Sequence, residues 1–360
     1  MNLDLINFKI KESKKILILP SQPADLDCIC SALVMKWYVM QVKNSYNSIE
    51  ENEDGYIGVD EENWVRIYSF FQIPDKLKLF PEISQIEQKY LENVDIPMYD
   101  LIIGVDGNGY DRFLTNGYQK YFSQNDLKHK FIVFDHHQLE SNVDFLDEYY
   151  VSEPEASSTT LVLYKNLFKN LEITPRIATF LYTGISSDTG NFKWNLNSET
   201  LKIAGELLHK GADYLEATNV KIPVKEIDFT VWAIQHTKYF PEIKTTLLSI
   251  NKSHYDELDE IFGDKWDFKD LDRHYKNTFC KLVEGYDYYF ILKEDKKNNN
   301  VRVAWRVRDL PEKEIDFIHL IQNLGYEAGG HQNSGGARAF NVYIDDVWNK
   351  IKNQITIEMS

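Results

Sequence analysis

The sequence predicts an α/β protein: an N-terminal parallel-sheet domain, then a smaller C-terminal α+β domain, with a cleft between them. Three observations carry this expectation. The runs KKILILP, DLIIGVD and KFIVFD are apolar throughout rather than alternating, the pattern of parallel strands covered on both faces. Helix-like segments separate them, as βαβ crossovers require. Beyond about residue 240 the strand-like segments follow one another with fewer helices between them. A chain of 360 residues is also too long for one small core.

KKILILP (14–20) is expected as the first strand, followed by a helix through CSALVMKWYVMQV. Residues 44–63 are polar and acidic and are expected as an exposed insertion. VRIYSFF, DLIIGVD and KFIVFD supply the second, third and fourth strands. STTLVLYKNLF, PRIATFLYTGIS and NSETLKIAGELLHKG read as helices. Thr174-Pro175 starts the second of these and Gly211 stops the third. The first domain is expected over 1–215, a linking helix within 216–240, and the second domain over 241–360. In the second, KTTLLSI, TFCKLVEG, DYYFIL and VRVAWRV read as strands, EKEIDFIHLIQNLG as a helix and KEDKKNNN (293–300) as a hairpin loop.

Composition narrows the function. The formal charge of −16 argues against a broad basic surface for long nucleic acid, so an anionic partner must be small or met by a local positive site. Three cysteines, Cys28, Cys30 and Cys280, do not make a disulfide framework and fit a reducing compartment. The first residues are polar and mixed in charge, unlike a signal peptide. No apolar run approaches the roughly 20 residues that span a bilayer. A cytoplasmic protein with no membrane contact is expected.

The chemistry lies at the ends of the apolar runs. ILILP leads into Ser21-Gln22-Pro23-Ala24-Asp25-Leu26-Asp27, LIIGV ends in Asp106, FIVF ends in Asp135-His136-His137, and IATFLYTGIS ends in Ser187-Asp188. Side chains just past the carboxyl ends of parallel strands converge on one crevice. Aspartates gathered there with histidine repel one another unless cations sit between them. Hard oxygen ligands with imidazole suit a two-metal site and phosphoester hydrolysis.

Taken together, DLDCICSAL, VDGNGYDRF, FDHHQLESN, SSDTGNF and GGHQNSGGA resemble the DHH phosphoesterase family, and more closely the branch with a C-terminal DHHA1 domain. The resemblance runs in order from residue 14 to about 342. It implies two divalent cations, Mn²⁺ before Mg²⁺, held by Asp25, Asp27, Asp106, His136 and Asp188, with Asp106 bridging. It implies a scissile-phosphate contact for His137, and Asp135 would orient a neighbouring imidazole. Ser21 departs from the pattern, because the position four residues before Asp25 is commonly histidine or asparagine. The segment from Glu155 to Thr160 resembles an anion-favouring helix start that includes Ser158, and Arg112 matches a frequent family arginine. In the second domain Gly329, Gly330, His331 and Ser334 lie in a stretch resembling the DHHA1 glycine-rich signature, expected as a loop whose consecutive N–H groups form an anion nest. Arg306 matches a substrate-facing arginine, with Arg302 and Arg308 on the same strand face.

The resemblance points to the small soluble members, nanoRNase-like enzymes. These act on oligoribonucleotides of a few residues, on linear dinucleotides such as pApA, or on 3′-phosphoadenosine 5′-phosphate (pAp). The expected partner is therefore a short nucleotide, and dimers are frequent among relatives, so a homodimer fits. An exopolyphosphatase- or pyrophosphatase-like hydrolase is the first alternative. A nucleotide-binding protein with impaired catalysis, suggested by Ser21, is the second.

Overall fold

The computed structural model describes residues 3–44, 64–74, 77–115, 127–137, 149–219, 222–263, 266, 268–308, 311–331 and 333–359. The acidic insertion, all but its first residue, lies outside them. The chain divides into two compact units, Met1–Lys221 and Ile222–Ser360.

The first unit is built on a six-stranded, all-parallel sheet in the order β3-β2-β1-β4-β5-β6. Its strands are β1 (Ile16–Pro20), β2 (Val65–Ser69), β3 (Ile86–Gln88), β4 (Leu101–Val105), β5 (Phe131–Asp135) and β6 (Tyr150–Ser152). Every residue of β1, β4 and β5 is buried. Alternate side chains go to two cores. Ile16, Ile18, Leu101, Ile103, Val105, Ile132 and Phe134 enter one, and Leu17, Leu19, Ile102, Phe131 and Val133 the other. The larger core is roofed by α2 (Leu26–Asn44), α4 (Thr159–Leu163) and α5 (Pro175–Asp188). Helices α1 (Leu3–Glu12), α3 (Tyr110–Phe113), α6 (Ser198–His209) and α7 (Tyr214–Thr218) complete the unit. Thr174 caps α5 by accepting from Ile177 N–H, with Pro175 at its first position, as expected.

The second unit has a mixed six-stranded sheet in the order β11-β12-β10-β9-β8-β7, in which only β8 and β9 pair in parallel. Its strands are β7 (Thr237–Phe240), β8 (Thr245–Ile250), β9 (Tyr288–Glu294), β10 (Val301–Val307), β11 (Glu327–His331) and β12 (Ser334–Ala339). One face packs on α11 (Phe317–Asn323) and α12 (Ile344–Met359) through Tyr288, Phe290, Val303, Trp305 and Trp348. The other packs on α8 (Val224–Gln235), α9 (Lys252–Phe262) and α10 (Phe268–His274) through Tyr289 and Ile291.

Three expectations change here. The segment 216–240, expected as a linker, contributes α8 and the edge strand β7 to the second unit's own core and sheet. TFCKLVEG, expected as a strand, is helical and then turns: a π-helical stretch Tyr275–Phe279 runs into a 3₁₀ turn Cys280–Leu282. Cys280 and Tyr275 bury against α8 and α10, and that packing overrides the β-branched residues' preference for a strand. The glycine-rich stretch is a β-hairpin, β11 and β12, rather than an irregular anion loop.

Candidate metal centre

The five expected ligands come together. Asp25 starts α2, where its Oδ1 accepts Cys28 N–H at 3.0 Å. Asp27 follows in the first turn of that helix and is wholly buried. Asp106 is the first residue past β4, 5% exposed, and its φ of 68° holds a non-glycine residue in the left-handed region. Strain of that kind persists where the surroundings over-determine it. His136 lies past β5 and Asp188 closes α5.

His136 is the hub. Its Nδ1 sits 3.2 Å from the Ala156 carbonyl. A carbonyl can only accept, so Nδ1 carries hydrogen and Nε2 turns toward the carboxylates. Nε2 lies 3.3 Å from Asp188 Oδ2 and 3.5 Å from Asp106 Oδ1. Three overlapping groups each place one ligand atom per residue within 4.8 Å of the others: Asp27, His136 and Asp188; Asp25, Cys28 and Asp106; and Asp106, His136 and His137.

The electrostatics are those of crowded like charges. Burial raises the Asp106 carboxyl well above the usual range, and Asp25, Asp27, Asp188 and Asp135 push it further. Asp188 is raised by burial and by Asp27, against the pull of His136. Asp27 is also raised by burial, with His136 and the Thr160 hydrogen bonds acting the other way. Burial pulls His136 down, yet the hydrogen bond to Asp188 and the surrounding carboxylates outweigh it and lift the imidazole to about 9. A buried oxygen-and-imidazole set of this kind fits divalent cations, which would relieve the repulsion that raises the carboxyls.

The surrounding groups set orientation. Asp135 is completely buried and accepts His137 Nδ1–H at 2.8 Å and the Tyr150 hydroxyl at 3.0 Å. That leaves His137, 34% exposed, with Nε2 free of that bond and its ring centroid 4.4 Å from that of His136. Sequence reasoning missed Tyr150, the Ala156 carbonyl and Gly184, and nothing local to them in the sequence signals a role. Thr159 and Thr160 were visible only as part of a helix start.

Not every expected residue stands where substrate could reach it. Ser158 is fully buried, and its hydroxyl caps α4 by accepting Leu161 N–H at 3.1 Å. The helix N–H groups expected to favour an outside anion are met by Asp27: Thr159 and Thr160 donate to it at 2.6 and 3.0 Å. Arg112 is half-buried on α3, where its carbonyl accepts Gln22 N–H at 2.9 Å and ties that helix to the loop before Asp25. Ser21 is 6% exposed, and its carbonyl faces the Cys28 thiol at 3.7 Å.

In the second unit Arg302 and Arg306 share a face of β10, as alternation requires, whereas Arg308 lies one residue past the strand's end. Arg308 pairs with Asp287 at 3.6 Å, and Arg306 Nη1 donates to the Trp305 carbonyl at 2.8 Å. Gly329 and Gly330 lie in β11 and Ser334 in β12, paired with His331 in register. Glycine is required at Gly330, with φ 135°, and at Gly335, where a Cβ would come within 2.0 Å of Trp305.

Comparison with known proteins agrees with this geometry. Residues 15–185 match the N-terminal domain of the DHH family. Over 238 residues the chain is 37% identical to the bifunctional oligoribonuclease and PAP phosphatase NrnA of Thermus thermophilus, an alignment covering 64% of each protein. It is 22% identical over 230 residues to the A-adding tRNA nucleotidyltransferase of Aquifex aeolicus, covering 62% of this chain and 25% of that enzyme. The chain thus spans a quarter of one relative and less than two thirds of the other. Among solved structures, an exopolyphosphatase-related protein from Bacteroides fragilis shares the fold, with TM-score 0.73 and 21% identity over 99% of this chain and 96% of that one. No described helix is long and apolar enough to cross a membrane. With Asp25, Asp106 and His136 following β1, β4 and β5, residues 15–185 carry the N-terminal domain of the DHH family.

Proposed function

We propose that the chain is a divalent-cation-dependent phosphoesterase of short nucleotides: pApA-like linear dinucleotides, oligoribonucleotides of a few residues, or pAp. The observation that carries this reading is the convergence of Asp106 and Asp188 on His136 Nε2, at 3.5 and 3.3 Å, beside Asp27. Asp27, His136 and Asp188 would hold one cation and Asp25 a second, with Asp106 shared. Bound there, Mn²⁺ or Mg²⁺ would supply Lewis-acid stabilisation of phosphoryl charge and an activated water.

The chain's own groups do the rest. Ala156 fixes the tautomer of His136, and Asp135 fixes that of His137. With both ring nitrogens protonated, His137 donates Nδ1–H to Asp135 and can offer Nε2–H to a non-bridging phosphate oxygen or to the departing oxygen. The Thermus relative's activity as an oligoribonuclease and PAP phosphatase supports a nucleotide substrate over inorganic polyphosphate. Arg306 and the β11–β12 hairpin, with Gly329, Gly330, His331 and Ser334, are the candidate grip on the nucleotide.

The test is turnover of pApA, pAp and tripolyphosphate by the purified protein with and without Mn²⁺, alongside Asp106→Ala. Cation-dependent cleavage of a nucleotide, lost in the variant, is the expected result. Cleavage of tripolyphosphate alone would move the substrate to inorganic polyphosphates. Nucleotide binding without turnover at any Mn²⁺ concentration would reduce the protein to a binder.

A further inference from the structure

The register of the second sheet places a second set of cations beyond Arg306. Directly opposed residues of paired strands share a face. Lys293, Arg302 and Arg338 therefore stand side by side across β9, β10 and β12, with Glu327 next to Arg338 on β11. Two residues along, Ala304, Gly336 and Gly329 form the next row on that face. Two further on come Arg306 and Ser334. Helices α8 to α10 cover this face at β9, through Tyr289 and Ile291, and leave Arg302, Arg338, Gly329 and Gly336 exposed. The result is a groove of about 470 Å³ lined by the cationic row and the glycine row.

The two middle glycines are not required by the fold. Neither has a left-handed φ; a Cβ on Gly329 would meet nothing within 4 Å, and one on Gly336 only the Val303 carbonyl at 3.5 Å. Their missing side chains leave a flat floor between two polar rows. The cations are only partly neutralised: Lys293 is paired with the buried Asp272, whereas Arg302 and Arg338 have no ion-pair partner among the described residues. In a chain of net charge −16, exposed unpaired guanidiniums opposite each other are an anion site in want of an anion.

We infer that Arg302 and Arg338 bind a second phosphate of a linear, phosphodiester-linked substrate, about 13 Å along the strand from Arg306, and so set a preference for substrate length. This rests on the nucleotide reading above and adds length selection to it. The flat floor favours a sugar or base between two phosphates over bare polyphosphate, which would leave Gly329 and Gly336 uncontacted. Glu327, the acid at the edge of the row, disfavours a further phosphate beyond Arg338.

The test is calorimetric binding of pA, pApA and pApApA, with tripolyphosphate in parallel. The full chain carries Asp106→Ala to prevent turnover, with and without Arg302→Gln/Arg338→Gln. Affinity is expected to rise about tenfold or more with length in the first protein, and the rise to vanish in the second while pA binding stays unchanged. Gly336→Ala should weaken pApApA about tenfold without lowering the Tm, because the added methyl enters the groove rather than the core. A length dependence that survives loss of both arginines overturns the inference, as does an arginine dependence seen only with tripolyphosphate. Mn²⁺-dependent cleavage of pApA with no arginine effect defeats this groove alone. An arginine-dependent length effect without cleavage defeats the catalytic reading and keeps the groove.

Discussion

Asp27 and Thr160 are joined twice: the Asp27 carboxylate accepts the Thr160 hydroxyl at 2.7 Å and its backbone N–H at 3.0 Å. With Thr159 N–H at 2.6 Å, three donors from the start of α4 aim this carboxylate before any cation arrives. Thr159 also donates its hydroxyl to Asp106 at 2.9 Å, so one helix end positions two expected ligands, one in the first turn of α2 and one just past β4.

Gly184 sets the space for that arrangement. A Cβ there would stand 2.3 Å from Thr160 Oγ1 and 2.4 Å from Asp27 Oδ1. Gly184→Ala is therefore expected to cost about 1–3 kcal/mol of stability and about tenfold or more in Mn²⁺ affinity. Gly205→Ala, on helix α6 with nothing within 4 Å, should instead be neutral or stabilising by up to about 1 kcal/mol. Urea denaturation and calorimetric Mn²⁺ titration of both variants read the contrast. Equal behaviour would mean that Gly184 does not hold Asp27 in place.

Asp135 acts on His137 rather than on substrate. Asp135→Asn would offer an amide where the ring needs an acceptor, and is expected to lower kcat about 10- to 100-fold while KM changes less. Tyr150→Phe removes one of the two donors to Asp135, and a fall of about 3- to 10-fold is expected. A KM effect with kcat intact in either variant would assign this network to substrate binding instead.

The expected ligands were legible because their chemistry is tied to strand ends, and strands buried on both faces announce themselves as unbroken apolar runs. Asp25, Asp106 and His136 could be read in this way. The groups that hold them could not. Thr160 reaches Asp27 across 133 residues, Tyr150 reaches Asp135 from an edge strand, and Gly184 looks like any glycine in a helix. Each depends on packing that no local pattern encodes. The glycine-rich stretch misled for the opposite reason. Glycines have poor strand propensity, but pairing with VRVAWRV over six residues, Val301 to Arg306, makes that stretch the strand β12. Ile344, Val347, Trp348, Ile351 and Ile355 do follow the helical period, and they are the buried face of α12.

Arg176 fastens the roof of the larger core. Its guanidinium grips Glu82 with Nε and Nη2 at 2.8 and 2.6 Å and reaches Glu216 at 2.6 Å. It also lies over the rings of Phe80 and Phe180, with centroids at 4.9 and 4.8 Å. Lysine keeps the charge but loses the fork and the stacking, so Arg176→Lys should cost about 1–2 kcal/mol. Chemical denaturation measures it. A variant as stable as the parent would mean that solvent screens these partly exposed pairs to nothing.

The crowded site makes the cation-free protein's stability depend on pH in one direction. His136 rises from its ordinary 6.5 to about 9 on folding. It contributes its full stability below about 6.5 and loses it as pH climbs through 9. Asp106 and Asp188 are also raised, so they bind more protons folded than unfolded, and they too withdraw stability as pH rises above the ordinary carboxylate range. All three act with the same sign. With chelator present, the Tm is therefore expected to fall by several degrees between pH 6.5 and 9. Mn²⁺ must displace the proton on His136 Nε2 and quench the carboxylate repulsion, so its stabilising effect should grow over the same interval. Thermal melts at both pH values, with chelator and with Mn²⁺, test this directly. A chelated Tm that stays level or rises toward pH 9 would show that these carboxyls are not crowded as described, and the case for cations between them would go with it.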